Sequence, residues 1–267
     1  MVKTLNSKIE KGKTEFEKGN FEEALNYFKQ VESDDNHYEL ALMFMSSCLM
    51  EIEEYGEALN VSNQLIEMDA YNKFAWFNKA LCQIFLKDSR AFRTVENVVK
   101  VIDPMDKYDL VYVAKLYKLL NEYNKALIYC DSALKIDENF KDALYEKFLI
   151  AIMIDDDELM EEVSEKIFYA SDDLTGFMPL MIIRLFSKDY IGCKKLIEEA
   201  NTKKFDKEHL DIIKSVIYKQ ISEDFNANLL LVNGEDISLD NALEALFDFV
   251  ETGKNQGKID GTKYYII

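Results

Sequence analysis

A period of 34 residues runs through the first half of this chain, and no other feature constrains the fold as strongly. Asp35, Asp69, Asp103 and Asp137 recur every 34 residues, each just after an apolar helical stretch. Gly12, Ser46, Ala80 and Ala114 keep the same spacing. So do Ala24, Ala58, Phe92 and Ala126, and likewise Phe21, Tyr55, Ser89 and Tyr123. Four columns with one period mark an internal repeat, and a repeat of this length is one supersecondary unit stacked on copies of itself.

Helix geometry gives each column a role. The spacing predicts a first amphipathic helix with the small residue about two turns in, then a turn such as Gly19-Asn20 or Asn121-Glu122, then a second helix opening on an aromatic. Small residues at both sites let two antiparallel helices approach toward the lower end of the roughly 8–10 Å interaxial range. The stretch NEYNKALIYCDSALKIDEN, residues 121–139, shows the rule. Ala126 is expected to touch the first helix, and Ala133, on the same face, the next unit. The terminal Asp can accept backbone hydrogen bonds in the turn and favour the start of the following helix. A single hairpin leaves one apolar face uncovered, so the stack is what should fold.

At these residues the chain resembles the tetratricopeptide repeat family, whose unit is a helix-turn-helix of the same length. Residues 107–140 match through Leu110, Ala114, Tyr117, Tyr123, Ala126, Ala133 and Asp137. Residues 5–38 match through Gly12, Ala24 and Phe28, and residues 39–72 through Tyr55, Ala58 and Asp69. Residues 73–106 keep Trp76, Ala80 and Asp103-Pro104 but depart at Ser89 and Phe92, where an altered turn or packing angle is expected. The resemblance implies an all-α fold, a right-handed α-solenoid of helical hairpins with four repeats over residues 1–140. Residues 141–222 read as degenerate hairpins and a following helix near 207–222, with Asp155-Asp156-Asp157-Glu158 replacing the usual turn.

From Asn226 the texture changes. LLLVNGEDIS places Asn-Gly between β-prone residues, a hairpin signal. SLDNALEALFDFVETG reads as one helix capped by Ser238 or Asp240 and stopped at Gly253. GKIDGTKYYII offers a second ribbon turning at Asp260-Gly261. Residues 226–267 are therefore expected to form a small α+β unit that caps the solenoid, or that pairs with a partner or second copy through a Tyr264–Ile267 strand. A helix followed by a ribbon loosely resembles a winged helix, although Asp240, Glu244, Asp248 and Glu251 oppose DNA entry.

Composition narrows the function. Fifty acidic residues against 32 basic give a formal charge of −18, which disfavours nucleic acid and anionic membranes. The N-terminus lacks the apolar core of a signal peptide, and no stretch is long enough to span a bilayer, so a cytoplasmic protein is expected. Cys48, Cys82, Cys130 and Cys193 show no CxxC spacing, and only His37 and His209 could assist them. Reduced, buried cysteines and no metal or other cofactor follow. No phosphate loop, HExxH or GxSxG motif is present, and catalytic residues are expected to be absent. The Asp155–Glu158 run lacks the alternating ligands of a calcium loop.

In the resembled family the first helices of successive repeats line a concave groove. The corresponding positions here are Met43, Phe74, Phe77, Leu81, Phe85, Tyr108, Val111, Lys115 and Tyr145. Aromatic surfaces of this kind suit apolar anchors from a protein segment. The pairs Ile9 and Lys13, Met43 and Ser47, and Phe77 and Leu81 cannot assemble the Lys/Asn clamp that some family members use for acidic chaperone tails. A non-enzymatic scaffold binding a protein or peptide in an apolar, acid-rimmed groove is the leading expectation. The same apolar positions could instead be covered by the chain itself, since either arrangement removes the exposure. The alternative function is a regulator whose C-terminal winged-helix-like unit contacts nucleic acid while the repeats bind a protein.

Overall fold

In the computed structural model the apolar periodicity of the first unit, Met1–Glu138, becomes four hairpins among the described residues. They are α1 (Ser7–Glu17) with α2 (Phe21–Phe28), α3 (Tyr38–Glu51) with α4 (Tyr55–Met68), α5 (Lys73–Phe85) with α6 (Ala91–Val101), and α7 (Lys107–Leu119) with α8 (Tyr123–Ile136). The structure describes residues 7–171, 173–203, 207–224, 229–231, 239–252, 256–259 and 262–266.

The small-residue columns are the contact points. Ser46, Ala80, Ala114, Ala24, Ala58, Ala126 and Ala133 are all fully buried. Gly12 is tighter still, because a Cβ there would sit 2.6 Å from the Phe28 ring. One buried polar cluster reinforces the second hairpin: Ser62 Oγ donates to the Ala58 carbonyl at 2.8 Å, lies 3.3 Å from Ser46 Oγ, and Asn78 Nδ2 donates to Ser46 Oγ at 2.9 Å.

Every hairpin turns in the same way. Gly19, Glu53, Lys87, Asn121 and Asp155 have left-handed φ of 79°, 62°, 54°, 60° and 56°, again at intervals of 34, and Lys188 follows with 57°. In all six the next residue donates its N–H to the carbonyl five positions earlier, as in Asn20 to Glu15, Asp88 to Gln83 and Asp156 to Ala151. This is the Schellman closure, which satisfies helix-end carbonyls. Only Gly19 and Asn121 are residue types suited to it. The Asp155–Glu158 run therefore does not replace the usual turn; it makes the same one, with Asp156 accepting from the Leu159 N–H at 3.0 Å.

The third repeat shows the altered turn that its sequence foretells. Asp88 Oδ1 accepts the Arg90 N–H at 2.9 Å and the Asp88 carbonyl accepts from Ala91 N–H at 3.0 Å. The helix α6 consequently opens at Ala91, two residues after the Ser89 column position. Ala91, 4% exposed, is buried beside the register position. Phe92, too large for the contact point, is half-buried with its ring edge-on to Tyr117 at 6.3 Å.

The inter-repeat turns use the Asp column as expected. Asp35, Asp69 and Asp103 accept the N–H of His37, Tyr71 and Met105 at 2.8–2.9 Å, while Asn72 and Asp106 cap α5 and α7. Between repeats, Lys73 donates to both oxygens of buried Asp109 at 2.8 and 2.9 Å, and Asp109 also accepts the Asp103 N–H at 3.0 Å. Lys107 reaches Asp137 at 2.5 Å. The Asp109 hydrogen bond comes first among the causes that raise the Lys73 pKa.

The second unit, Asn139–Ile267, pairs α9 (Lys141–Ile154) with α10 (Asp157–Ala170) and α11 (Leu174–Phe186) with α12 (Tyr190–Thr202). Then follow α13 (Lys207–Asp224), β1 (Leu229–Leu231), α14 (Leu239–Thr252), β2 (Gln256–Ile259) and β3 (Thr262–Ile266). Leu243, Leu246 and Phe247 of α14 join Phe177, Leu196, Leu210 and Ile217 in one buried cluster. The last helix thus closes the apolar face of the hairpins before it.

The antiparallel sheet has the order β1-β3-β2. The Asn233-Gly234 turn lies outside the described residues, and so do Asp260 and Gly261. The strand expected to receive a second copy does not have a free edge. Leu229–Leu231 flank it on one side and Gln256–Ile259 on the other, so Tyr264–Ile266 occupy the centre of the sheet and offer no edge to a further strand, while Ile267 lies outside the described residues.

Buried thiols follow the same packing logic. Cys48, Cys82, Cys130 and Cys193 are buried thiols outside any disulfide. Burial pushes the Cys48 thiol up to about 11 and those of Cys82 and Cys193 to about 12, so these groups are not nucleophiles at neutral pH.

Three outcomes test this architecture. Ala126→Leu overpacks a fully buried helix contact and should cost about 1–3 kcal/mol, read as a lowered urea midpoint. Lys87→Gly relieves a left-handed non-glycine residue and should raise stability by up to about 1 kcal/mol, read as an increased Tm. For the Lys73–Asp109 tie, a raised lysine pKa means that its stabilisation is full below the unfolded value of 10.5 and is lost as pH rises through the folded value. Denaturation from pH 8 to 12 should therefore show the stability gap between wild type and Asp109→Asn shrinking only in the alkaline range.

Candidate functional site

Successive first helices touch in the first unit: α1 with α3, α3 with α5, and α5 with α7. No comparable contact joins successive second helices among the described residues. The first-helix side is thus the side on which successive repeats of the first unit pack against one another.

The expected groove residues differ in depth. Val111 and Phe77 are 3% and 9% exposed and belong to the packed interior. Met43 and Phe74 are half-buried against the core of the first two hairpins, and Leu81 is half-buried as well. Phe85 is exposed at its edge, but its ring stacks on Tyr55 at 4.8 Å and 21°, which seals α5 against the start of α4. Tyr108 is 56% exposed, and Lys115 is half-buried two turns further along α7. Tyr145 belongs to the second unit, where its hydroxyl is buried without a hydrogen-bond partner. The structure therefore does not gather all nine into one surface.

It does build a ledge on α7 that the repeat columns miss. Tyr112 lies one turn beyond Tyr108 and is 52% exposed. Its ring leans on Phe77 with centroids 5.2 Å apart at 41°. Lys115 Nζ lies 5.5 Å from the Tyr112 centroid and Lys107 Nζ 5.6 Å from that of Tyr108. Buried Phe77 thus props an outward tyrosine, and two lysines frame the pair. The signal for Tyr112 is present in the sequence as the i, i+4, i+7 series Tyr108, Tyr112, Lys115.

The ledge is rigidly seated. Asp106 accepts the Tyr108 N–H at 2.8 Å at the helix start. Asp109, one residue beyond Tyr108, takes Lys73 from α5. An aromatic pair held on a capped, cross-tied helix presents area at little cost in side-chain entropy. Among the described residues no group of three His, Cys, Asp or Glu side chains is placed to hold a metal ion, and no helix is long and apolar enough to cross a membrane.

Comparison with known proteins agrees with this geometry. Two tetratricopeptide repeat family profiles match, one over residues 15–87 and one over residues 113–140. No curated protein matches the chain. Among solved structures, a tetratricopeptide repeat protein from Parabacteroides merdae is similar over 90% of this chain and 97% of its own, at 15% identity and a TM-score of 0.54. MamA from Desulfovibrio magneticus RS-1, beginning at its residue 41, is similar over 61% of this chain and 97% of its own, at 19% identity and a TM-score of 0.49. YrrB, a TPR protein with an unusual peptide-binding site, is similar over 66% of this chain and 92% of its own, at 11% identity and a TM-score of 0.44. At 15% identity the likeness to the Parabacteroides merdae protein is one of fold. With the 34-residue register, its small-residue contacts and the matching family profiles in place, residues 15–87 and 113–140 are tetratricopeptide repeats.

Proposed function

We propose that this chain is a non-enzymatic protein–protein interaction scaffold, and that it captures a protein segment on the first-helix face of residues 1–138. The observation that carries the reading is the α7 ledge, where Tyr108 and Tyr112 are 56% and 52% exposed on adjacent turns. Tyrosine offers a large apolar body with a polar tip and dominates interface hot spots. Exposure of both rings favours an open ledge over one covered by the chain. The partner segment would place apolar side chains on the two rings and polar or acidic groups toward Lys107 and Lys115.

The alternative, nucleic-acid contact by the C-terminal unit, has less support. The β1-β3-β2 order with α14 between β1 and β2 suits a winged arrangement. Yet the exposed side of α14 carries Glu244 and Glu251, which repel phosphates, and its apolar side is spent on the core. We read this unit as a cap.

The test is affinity capture from the native cell extract by wild type and by a Tyr108→Ser/Tyr112→Ser double variant. Both rings are about half exposed, so the variant should keep its helicity and lose at most the Tyr112–Phe77 contact, a small drop in Tm. Loss of two hot spots at about 2 kcal/mol each should remove the captured partner from the variant eluate. Retention of the partner at the wild-type level would show that the ledge is not its binding surface.

A further inference from the structure

The third repeat departs from the register in a second way, on the opposite side of the hairpin. Lys79, Gln83 and Arg93 stand where the second repeat has Met45, Leu49 and Leu59 and the fourth has Val113, Tyr117 and Leu127. These polar side chains come together. With Asn63, Trp76 and Arg90 they line a cleft of about 220 Å³ between α4, α5 and α6. Three cations and no carboxylate face it, in a chain whose formal charge is −18 and which has only three arginines.

Three groups in the cleft, Arg93, Lys79 and the Gln83 carboxamide oxygen, have no carboxylate or hydrogen-bond partner among the described residues. Arg93 has no ion-pair partner among the described residues. Arg90 is held by Asp88, with nitrogen–oxygen distances of 2.6–3.1 Å. Lys79 lies over the Trp76 ring, 5.2 Å from its centroid. Burial first, and then the charge of Arg90, lowers the Lys79 pKa. Gln83 is 2% exposed, and its Oε1 is buried without a hydrogen-bond partner. The indole itself is fixed, since Trp76 Nε1–H donates to the Ala70 carbonyl at 2.9 Å.

We propose that this cleft binds the phosphate group of a phosphate monoester, with Arg93 and Lys79 on its oxygens and Trp76 beside the group that bears it. Two cations without a carboxylate partner match a dianion, and the planar guanidinium fork suits phosphate oxygens. The Gln83 carboxamide, whose two ends interchange by a flip, brings a further hydrogen-bonding group to the same space. Nothing in helix packing calls for these residues, because the neighbouring repeats fill the same positions with apolar side chains. The site lies apart from the α7 ledge and does not depend on it.

Trp76 is the single tryptophan of the chain, so its fluorescence reports on this cleft alone. The full-length protein is titrated with inorganic phosphate and with a phosphoserine-bearing pentapeptide, against sodium chloride at matched ionic strength. Tm is followed as a readout independent of the indole. Saturable fluorescence change and a rising Tm with phosphate or phosphopeptide, and neither with chloride, are expected. Tighter binding of the phosphopeptide identifies a phosphorylated side chain as the source; tighter binding of phosphate identifies a free small molecule. Arg93→Gln should weaken binding by about tenfold to a hundredfold. Lys79→Met/Arg93→Leu, which restores the second repeat's residues, should abolish binding without lowering Tm in the absence of ligand. The proposal is overturned if neither readout saturates with either probe, or if the double variant binds as tightly as wild type.

Discussion

Close approach of paired helices at undersized side chains is the contact on which the rest of the structure depends. With Gly12 against the Phe28 ring, and Ser46, Ala80, Ala114, Ala24, Ala58 and Ala126 fully buried, each first helix nests on its own second helix. The next hairpin then covers the apolar face that remains. A side chain no larger than that of serine at each point sets the interaxial distance, and dense packing makes that distance intolerant of added volume. The left-handed turn serves the same contact. It ends the first helix and returns the chain within two or three residues, five in the third hairpin, which keeps the small residues opposed.

This division of labour explains what was legible in the sequence. Residues that set helix spacing must be small, and residues in the Asp turns must accept backbone N–H groups, so both kinds repeat visibly. The turn residue itself need only tolerate positive φ, and Glu53, Lys87, Asp155 and Lys188 do so because the Schellman bond and the two packed helices over-determine the conformation. No composition rule singles out a Glu or Lys there, so the acidic run at residues 155–158 reads as a broken turn although its geometry is regular.

The candidate site was less legible for a related reason. Family position predicts which side of the first helix faces the groove, and it places Tyr108 and Lys115 there. It does not predict depth. Phe77 and Val111 fall inside because the first helices α5 and α7 touch one another, and Phe85 is drawn to Tyr55. Tyr112 is pushed outward by the same contact, since its ring rests on Phe77. Burial on the first-helix side is set by the neighbouring repeat, which a single repeat's columns do not contain. At the C-terminal end the strands were legible as β-prone runs, but not their order: β3 takes both neighbours only once α14 has brought β2 back to the sheet.

The repeat also supplies a way to separate structure from function without knowing a partner. Where three repeats agree on an apolar residue and one differs, packing alone does not demand the exception. Leu25, Leu59 and Leu127 share one column, yet Arg93 stands in the third repeat. Leu49 and Tyr117, both nearly inaccessible, bracket Gln83, which is equally buried and has an unpaired oxygen. Burying an unpaired amide oxygen costs about 1–3 kcal/mol against an apolar side chain. A stack that can place leucine at that position, and does so one repeat earlier, carries the cost in this repeat alone. The same repeat has a delayed α6, which starts at Ala91 and brings Arg90 to the cleft. Two departures with separate origins, one in a turn and one in the helix columns, thus converge on one set of side chains.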